Sequence, residues 1–272
     1  RGAQLLATAD GGRTWQPLAL PPLDAPQEGS PPMQAAAPLD TGSRTSIVQG
    51  AGFDACDLPS LAELAAWRAD SPYRTVNLYL GGVLRFCDNE RLTAENIAQL
   101  SAQGWTFIPT WVGPQAPCSV YRSRFSSDPG TAYNQGGAEA DAALAAARAL
   151  GLSEADGSGT IVYYDMESFE ETDASCVAAA QAFVSGWTDR LHAAGSQSGL
   201  YGSACSPGLA RFADIPAPPD AIWAAQWNRA AYDPDMSVWN IACIDNTLWA
   251  RSQRIRQYTG GHDETWGGVT LN

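Results

Sequence analysis

From Thr45 onward the apolar positions follow two alternating periods. Short runs rich in β-branched and aromatic residues, bounded by Gly, Ser or Pro, occupy 46–53, 75–80, 105–111, 160–165, 198–201, 221–227 and 254–258, with a further short run at 268–271. Runs of this length and composition read as strands. Between the early ones lie segments with helical apolar spacing at 61–69, 94–102, 138–150 and 174–193. Gly104, Gly151 and Gly195 follow three of these predicted helices, where a left-handed residue ends a helix. Strand–helix alternation predicts a parallel sheet. About eight strands in roughly 225 residues is barrel arithmetic. After Trp227 the helical pattern fades, so loops are expected to join the last strands.

The first 45 residues follow another pattern. Gln4 to Leu6 reads as a short strand, and Thr8-Ala9-Asp10-Gly11-Gly12-Arg13-Thr14-Trp15 carries an Asp-Gly-Gly hairpin signal. The stretch resembles the Asp-box, the Ser/Thr-x-Asp-x-Gly-x-Thr-Trp hairpin of sialidase and sortilin-type β-propellers. One copy cannot make a propeller, because such repeats bury their faces only against neighbours. Residues 1–19 are therefore expected to form a lone hairpin or the remnant of an upstream propeller, itself a candidate partner. Residues 20–45, rich in Pro, Ala, Gly and Ser, read as a linker, and 46–272 as the barrel.

Composition narrows the function classes. The chain has 272 residues, a formal charge of −13 and 45% hydrophobic residues. All sixteen basic residues are Arg and none cluster, which argues against nucleic-acid binding. No run has the length of an apolar membrane span. The sequence begins at Arg1, so a leader or further domain is expected upstream. Six cysteines, Cys56, Cys87, Cys118, Cys176, Cys205 and Cys243, form no CxxC pair and have only His192 and His262 to join them, so no zinc site is expected. Their even number and wide spread suit three disulfides in an oxidising compartment; the alternative is buried free thiols. Cys56–Cys87, Cys118–Cys176 and Cys205–Cys243 are the expected pairs, because each joins loops that follow neighbouring strands. A secreted or cell-surface location follows.

The run at 160–165 ends in Asp165-Met166-Glu167. Alternate residues of a strand share a face, so Asp165 and Glu167 are expected to project together at the strand's carboxyl end, where α/β proteins collect their ligands. Adjacent carboxyls push each other's pKa values apart, which is the equipment for glycosidic bond cleavage. Asp54 ends the first strand. Tyr79, Trp111, Tyr201, Gln226-Trp227 and Gln257-Tyr258 stand at the ends of others, with Tyr163 just inside the Asp165 strand. Aromatic faces and planar polar groups in one place describe a saccharide cleft. Several neighbouring groups have plainer readings. Asp57 orders a helix start, Glu170, Glu171 and Asp173 form an acidic first turn, His192 packs on a helix, and His262 lies in a flexible rim loop. No phosphate loop, nucleophile elbow or metal motif is present, and no cofactor is expected.

Gly52-Phe53-Asp54, Asn77-Leu78-Tyr79-Leu80-Gly81-Gly82, Ile108-Pro109-Thr110-Trp111, Tyr164-Asp165-Met166-Glu167, Gly199-Leu200-Tyr201-Gly202, Trp223-Ala224-Ala225-Gln226-Trp227 and Gln257-Tyr258 recur here in order. Together they resemble the glycoside-hydrolase-like domain of unknown function 1906, a relative of the family 25 muramidases. The resemblance covers about 46–272. It implies a modified TIM barrel of the (β/α)5β3 kind and, from the muramidases, cleavage of the β-1,4 bond between N-acetylmuramic acid and N-acetylglucosamine. By position, Glu167 is the implied general acid, with Asp165 and Asp54 orienting substrate or stabilising positive charge. Asp165 is expected to stay ionised and Glu167 to carry the proton. The muramidases usually carry another acid at the end of the last strand; no acid matches it before Leu271-Asn272. The leading expectation is an exported glycosidase acting on amino-sugar polymers such as peptidoglycan. The alternative is a non-catalytic saccharide-binding or assembly module on the same barrel.

Overall fold

Seven strands hydrogen-bond in chain order, each parallel to the next: β3 (Ala51–Phe53), β4 (Tyr73–Gly81), β5 (Thr106–Trp111), β6 (Ile161–Asp165), β7 (Gln197–Ser203), β8 (Ala221–Ala225) and β9 (Arg254–Gln257). The computed structural model describes residues 45–272 and, before them, only the backbone of β1 (Leu6–Ala7) and β2 (Gln16–Pro17). Those two short strands pair antiparallel, Leu6 opposite Pro17. The turn expected between them, and the linker up to 44, lie outside the described residues. Two units divide the chain, Arg1–Leu39 and Asp40–Asn272.

Crossover helices join the first five sheet strands: α1 (Leu61–Asp70), α2 (Ala94–Ala102), α3 (Pro129–Ala149) and α4 (Ala174–Ala193). A single 3-10 turn, Leu209–Phe212, follows β7, and β8 runs to β9 through a long loop. The sheet curls into a barrel-like wall compatible with a modified TIM barrel. The run at 268–271 is not one of its strands. It forms β11 (Val269–Leu271), which pairs antiparallel with β10 (Glu264–Trp266). That hairpin seals onto α1, where Trp67 Nε1 donates to Val269 O at 3.0 Å and Gly267 N to Asp70 at 2.8 Å.

Strand alternation builds two cores. Outward residues such as Val76, Leu78, Val162, Tyr164 and Leu200 pack under the helices with Phe183, Trp187 and Leu64. Inward residues Ile108, Tyr163 and Trp223, with Ile161, Tyr201 and Ile255, fill the barrel. Gly199 lies opposite Tyr163, and a Cβ there would stand 2.4 Å from the ring. The tyrosine therefore occupies the space that a side chain on β7 would take.

Helix starts follow local chemistry. Ser60 and Glu63 form a reciprocal capping box on α1, and Asp173 caps α4 from outside the first turn. Asp128 caps α3 with Pro129 at its first position, so α3 begins nine residues before the predicted 138. Gly136 and Gly137 disguise that extension as a loop. Tertiary packing requires one of them: a Cβ on Gly136 would meet Phe183 O at 2.0 Å, and one on Gly186 would meet Tyr133 O at 2.0 Å. The α3–α4 crossing is thus backbone on backbone.

The three expected disulfides are present, with Cα separations of 5.7 Å for Cys56–Cys87, 5.9 Å for Cys118–Cys176 and 5.2 Å for Cys205–Cys243. They tie the connections after β3 and β4, after β5 and β6, and after β7 and β8. All three therefore act at the carboxyl rim.

Gly186→Ala is expected to cost about 2–3 kcal/mol and lower Tm by roughly 4–10 °C, because the helices must separate to admit the methyl group. Differential scanning calorimetry checks it, and an unchanged Tm would contradict the close crossing. The double change Cys118→Ser with Cys176→Ser opens a loop with a sequence separation of 58. Chain entropy predicts a loss of about 4 kcal/mol in denaturant unfolding.

Candidate active site

The inward positions at the carboxyl ends of β3, β4, β6, β7 and β9 converge. Tyr79 donates its hydroxyl to Asp54 Oδ2 at 3.2 Å, and Gln257 Nε2 reaches both Asp54 oxygens at 3.2 and 3.3 Å. Gln257 cannot turn its amide over, because Oε1 already accepts from Tyr201 OH at 3.0 Å and Trp227 Nε1 at 2.8 Å. Two donors on the carbonyl end force the NH2 toward Asp54. β3 and β9 do not pair with each other, so this contact joins the two edge strands across the seam. A cavity of about 1280 Å³ runs along the inner face, lined by Asp54, Tyr79, Tyr163, Asp165, Trp223, Trp227, Gln257 and Tyr258 among others.

Asp165 closes β6 and Glu167 follows two residues later, so both side chains emerge on the same face and their carboxyls hydrogen-bond. Asp165 is 8% exposed, and its Oδ1 has no partner. Burial holds its carboxyl well above the ordinary range, and repulsion from Glu167 and Asp54 adds to this. Burial also raises Glu167, but hydrogen bonds from Asp165 and Tyr121 oppose the rise. Asp54 is raised by burial, partly offset by Gln257 and Tyr79. Burial thus raises the Asp165 and Glu167 carboxyls alike. Two acids buried side by side resist ionising together, so the pair keeps a proton to higher pH than either acid would in water.

Gln115 and Tyr121 complete the site, and sequence reasoning missed both. Gln115 is fully buried in the connection after β5; its Nε2 donates to Asp165 O at 2.7 Å and its Oε1 accepts from Glu167 N at 2.8 Å. Tyr121, further along that connection, donates its hydroxyl to the Glu167 carboxylate. Neither follows a strand run, and a lone polar residue in a loop carries no periodic signal.

Two predicted cleft residues point away. Trp111 is an outward residue of β5 and donates Nε1 to Glu139 of α3 at 2.6 Å. Gln226 takes the outward side and accepts from Arg256 Nη2 at 2.8 Å. Both sit one position out of phase with the inward set. Tyr163 lies inside the barrel beneath the acids, while Trp227, 61% exposed, and Tyr258 stand at the mouth. Asp57 accepts from Asn89 N at 2.8 Å instead of capping α1. Glu171 pairs with Arg211 at 3.1 Å, and Glu170 caps a turn at Thr172. His192 bonds Asp220, and His262 bonds Glu264, each at 2.8 Å. Among the described residues no three His, Cys, Asp or Glu side chains group as a metal requires.

Solved structures of related shape include an uncharacterized B. stearothermophilus protein, 18% identical over 76% of this chain and 88% of its own, with a TM-score of 0.46. The catalytic domain of endolysin ply40 from bacteriophage P40 of Listeria monocytogenes is 13% identical over 68% of this chain and 80% of its own, with a TM-score of 0.38. The modular autolysin LytC of Streptococcus pneumoniae is 14% identical over 68% of this chain and 39% of its own, with a TM-score of 0.42. The chain matches no curated protein. The model of the Rv2525c-like, glycoside hydrolase-like domain matches residues 65–272. That match takes in well over half of the sequence, and the chain belongs to the Rv2525c-like glycoside hydrolase-like domain family.

Proposed function

We propose that this chain is an exported glycoside hydrolase that cleaves amino-sugar polymers such as peptidoglycan. The observation that carries the reading is the hydrogen-bonded Asp165–Glu167 pair at the strand ends, one member buried with an unpartnered oxygen. A proton shared between two carboxyls is available to a leaving-group oxygen that approaches the more exposed one. Glu167 then acts as general acid: the one proton that the pair shares passes through Glu167 to the glycosidic oxygen, and both carboxyls are left ionised. The Asp165 carboxylate left behind stabilises developing positive charge or positions a substrate acetamido group. Asp54, fixed by Tyr79 and Gln257, orients the sugar. Trp227 offers an exposed ring whose plane is held by its N–H bond to Gln257. The sequence likeness to the domain of unknown function 1906 and the muramidases supports this substrate class. Three disulfides support an oxidising, extracytoplasmic location. The Asp-box-like segment supports an upstream propeller or assembly partner.

One observation favours the second reading, a saccharide-binding module without turnover. Hydrogen bonding to Asp165 and Tyr121 opposes the rise that burial imposes on the Glu167 carboxyl, which works against a proton donor at that position. Incubation with purified peptidoglycan and chitin-type oligomers separates the two readings. New reducing ends are expected; binding with none released would establish the module.

Glu167→Gln keeps the shape and removes the proton donor, so turnover should fall at least ~10²-fold with oligomer binding retained. Unchanged turnover would remove Glu167 from the role. Trp227→Ala should weaken oligomer binding ~3–10-fold by calorimetric titration, while Trp111→Phe, on the helix side, leaves it unchanged.

Stability should follow the Asp165 proton. Its folded pKa lies above the unfolded one, so its contribution is complete below the unfolded value and is lost as pH rises through the folded value. Asp165→Asn imitates the protonated form. Its Tm should exceed that of the parent by at least ~3 °C at about pH 8, and the gap should shrink toward about pH 4. A gap independent of pH would show that Asp165 does not carry the raised value.

A further inference from the structure

We propose that Gln115 is a positioning residue for the acid pair, a buried side-chain amide that continues the parallel β5–β6 ladder to Met166, beneath Asp165 and Glu167. The inference rests on the reading of that pair as a proton-handling pair. The backbone pairing of β5 with β6 ends at Trp111 opposite Tyr164. On the other side of β6 the ladder runs one step further, to Asp165 opposite Tyr201 and Met166 N donating to Tyr201 O at 3.1 Å. The segment that carries the two carboxyls therefore loses its β5 neighbour just where its geometry matters.

Gln115 replaces that neighbour. In a parallel ladder a residue donates its N–H to the carbonyl one position before its partner and accepts from the N–H one position after. Gln115 Nε2 donates to Asp165 O at 2.7 Å and Oε1 accepts from Glu167 N at 2.8 Å, the bonds of a strand residue facing Met166. A primary amide carries an N–H donor and an acceptor oxygen on one carbon, so a single side chain can make both bonds. Glu lacks the donor when ionised, and Met lacks both groups. The amide is rigidly mounted. Gln115 N donates to Ser123 O at 2.9 Å, Phe125 N donates to Gln115 O at 3.0 Å, and Gln115 Nε2 also reaches Gly113 O at 3.3 Å. Cys118–Cys176 then ties this connection to the start of α4. With both ends of Asp165-Met166-Glu167 clasped, the carboxyls keep their hydrogen bond and Asp165 keeps its burial.

The test titrates the carboxyls of the whole chain by 13C NMR, with Asp165→Asn and Glu167→Gln assigning the signals. In Gln115→Met the freed segment lets water reach the pair, and the upper of its two titrations should move down by at least ~0.5 pH. Gln115→Asn keeps the amide one methylene short and should move it in the same direction by less. Gly136→Ala, which loosens the α3–α4 crossing away from the site, is the control for stability loss alone and should leave the titrations in place. On chitin-type oligomers, Gln115→Met should lower kcat at least ~10-fold with KM changed by less than ~3-fold. If either Gln115 variant folds and titrates as the wild type does, the amide only supports the loop and the proposal fails. If the wild type releases no reducing ends, the hydrolase reading fails, while the titrations still decide the role of Gln115.

Discussion

A carboxyl group placed where water cannot reach it is the constraint on which the rim of this barrel is organised. Asp165 ends a central strand with one oxygen unpartnered, and burial above all, with the Glu167 carboxyl beside it, holds its own carboxyl well above the ordinary range. Such an arrangement opposes folding at high pH, because ionising the buried group without compensation is costly. Its surroundings limit that cost by fixing every neighbour. Gln257 is locked by two donors, Tyr79 is spent on Asp54, and the backbone around the pair is clasped from β7 on one side and from Gln115 on the other.

Rigidity is supplied differently at the two levels of the fold. Under the helices it comes from close packing, where Gly136 and Gly186 bring α3 and α4 into backbone contact. At the carboxyl rim covalent bonds add to the packing of apolar residues such as Phe125, Phe169 and Ile241. Each disulfide joins connections that follow neighbouring strands, so the three together hold most of the loops around the cleft. The open side of the barrel has no backbone pairing between β3 and β9; the Asp54–Gln257 bonds cross it instead. The edge that a full ring of strands would seal is thereby made part of the site.

Apolar periods along the chain set the parallel sheet, its strand order and four crossover helices, and the order of the loops pointed to disulfide pairs that the structure then supplied. Strand runs, helix periods and C-terminal glycines are local signals, and local hydrogen bonding sets them. The sequence also placed Asp54, Tyr79, Asp165, Glu167, Tyr201 and Gln257 at one end of the sheet, because alternation along a parallel strand fixes both face and end. Trp111 and Gln226 were misplaced by the same rule: each stands one residue out of phase, and a motif read as a block hides that step. Tertiary structure alone decided the rest. The first nine residues of α3 pack because Gly136 fits a crossing partner distant in sequence, and the 268–271 run left the sheet because its partner was a neighbouring hairpin strand. Gln115 and Tyr121 join the site from a connection without periodicity, and burial raises both acids of the pair. Those outcomes depend on depth, on water access and on groups far apart along the chain, and no spacing of residues in a linear sequence records them.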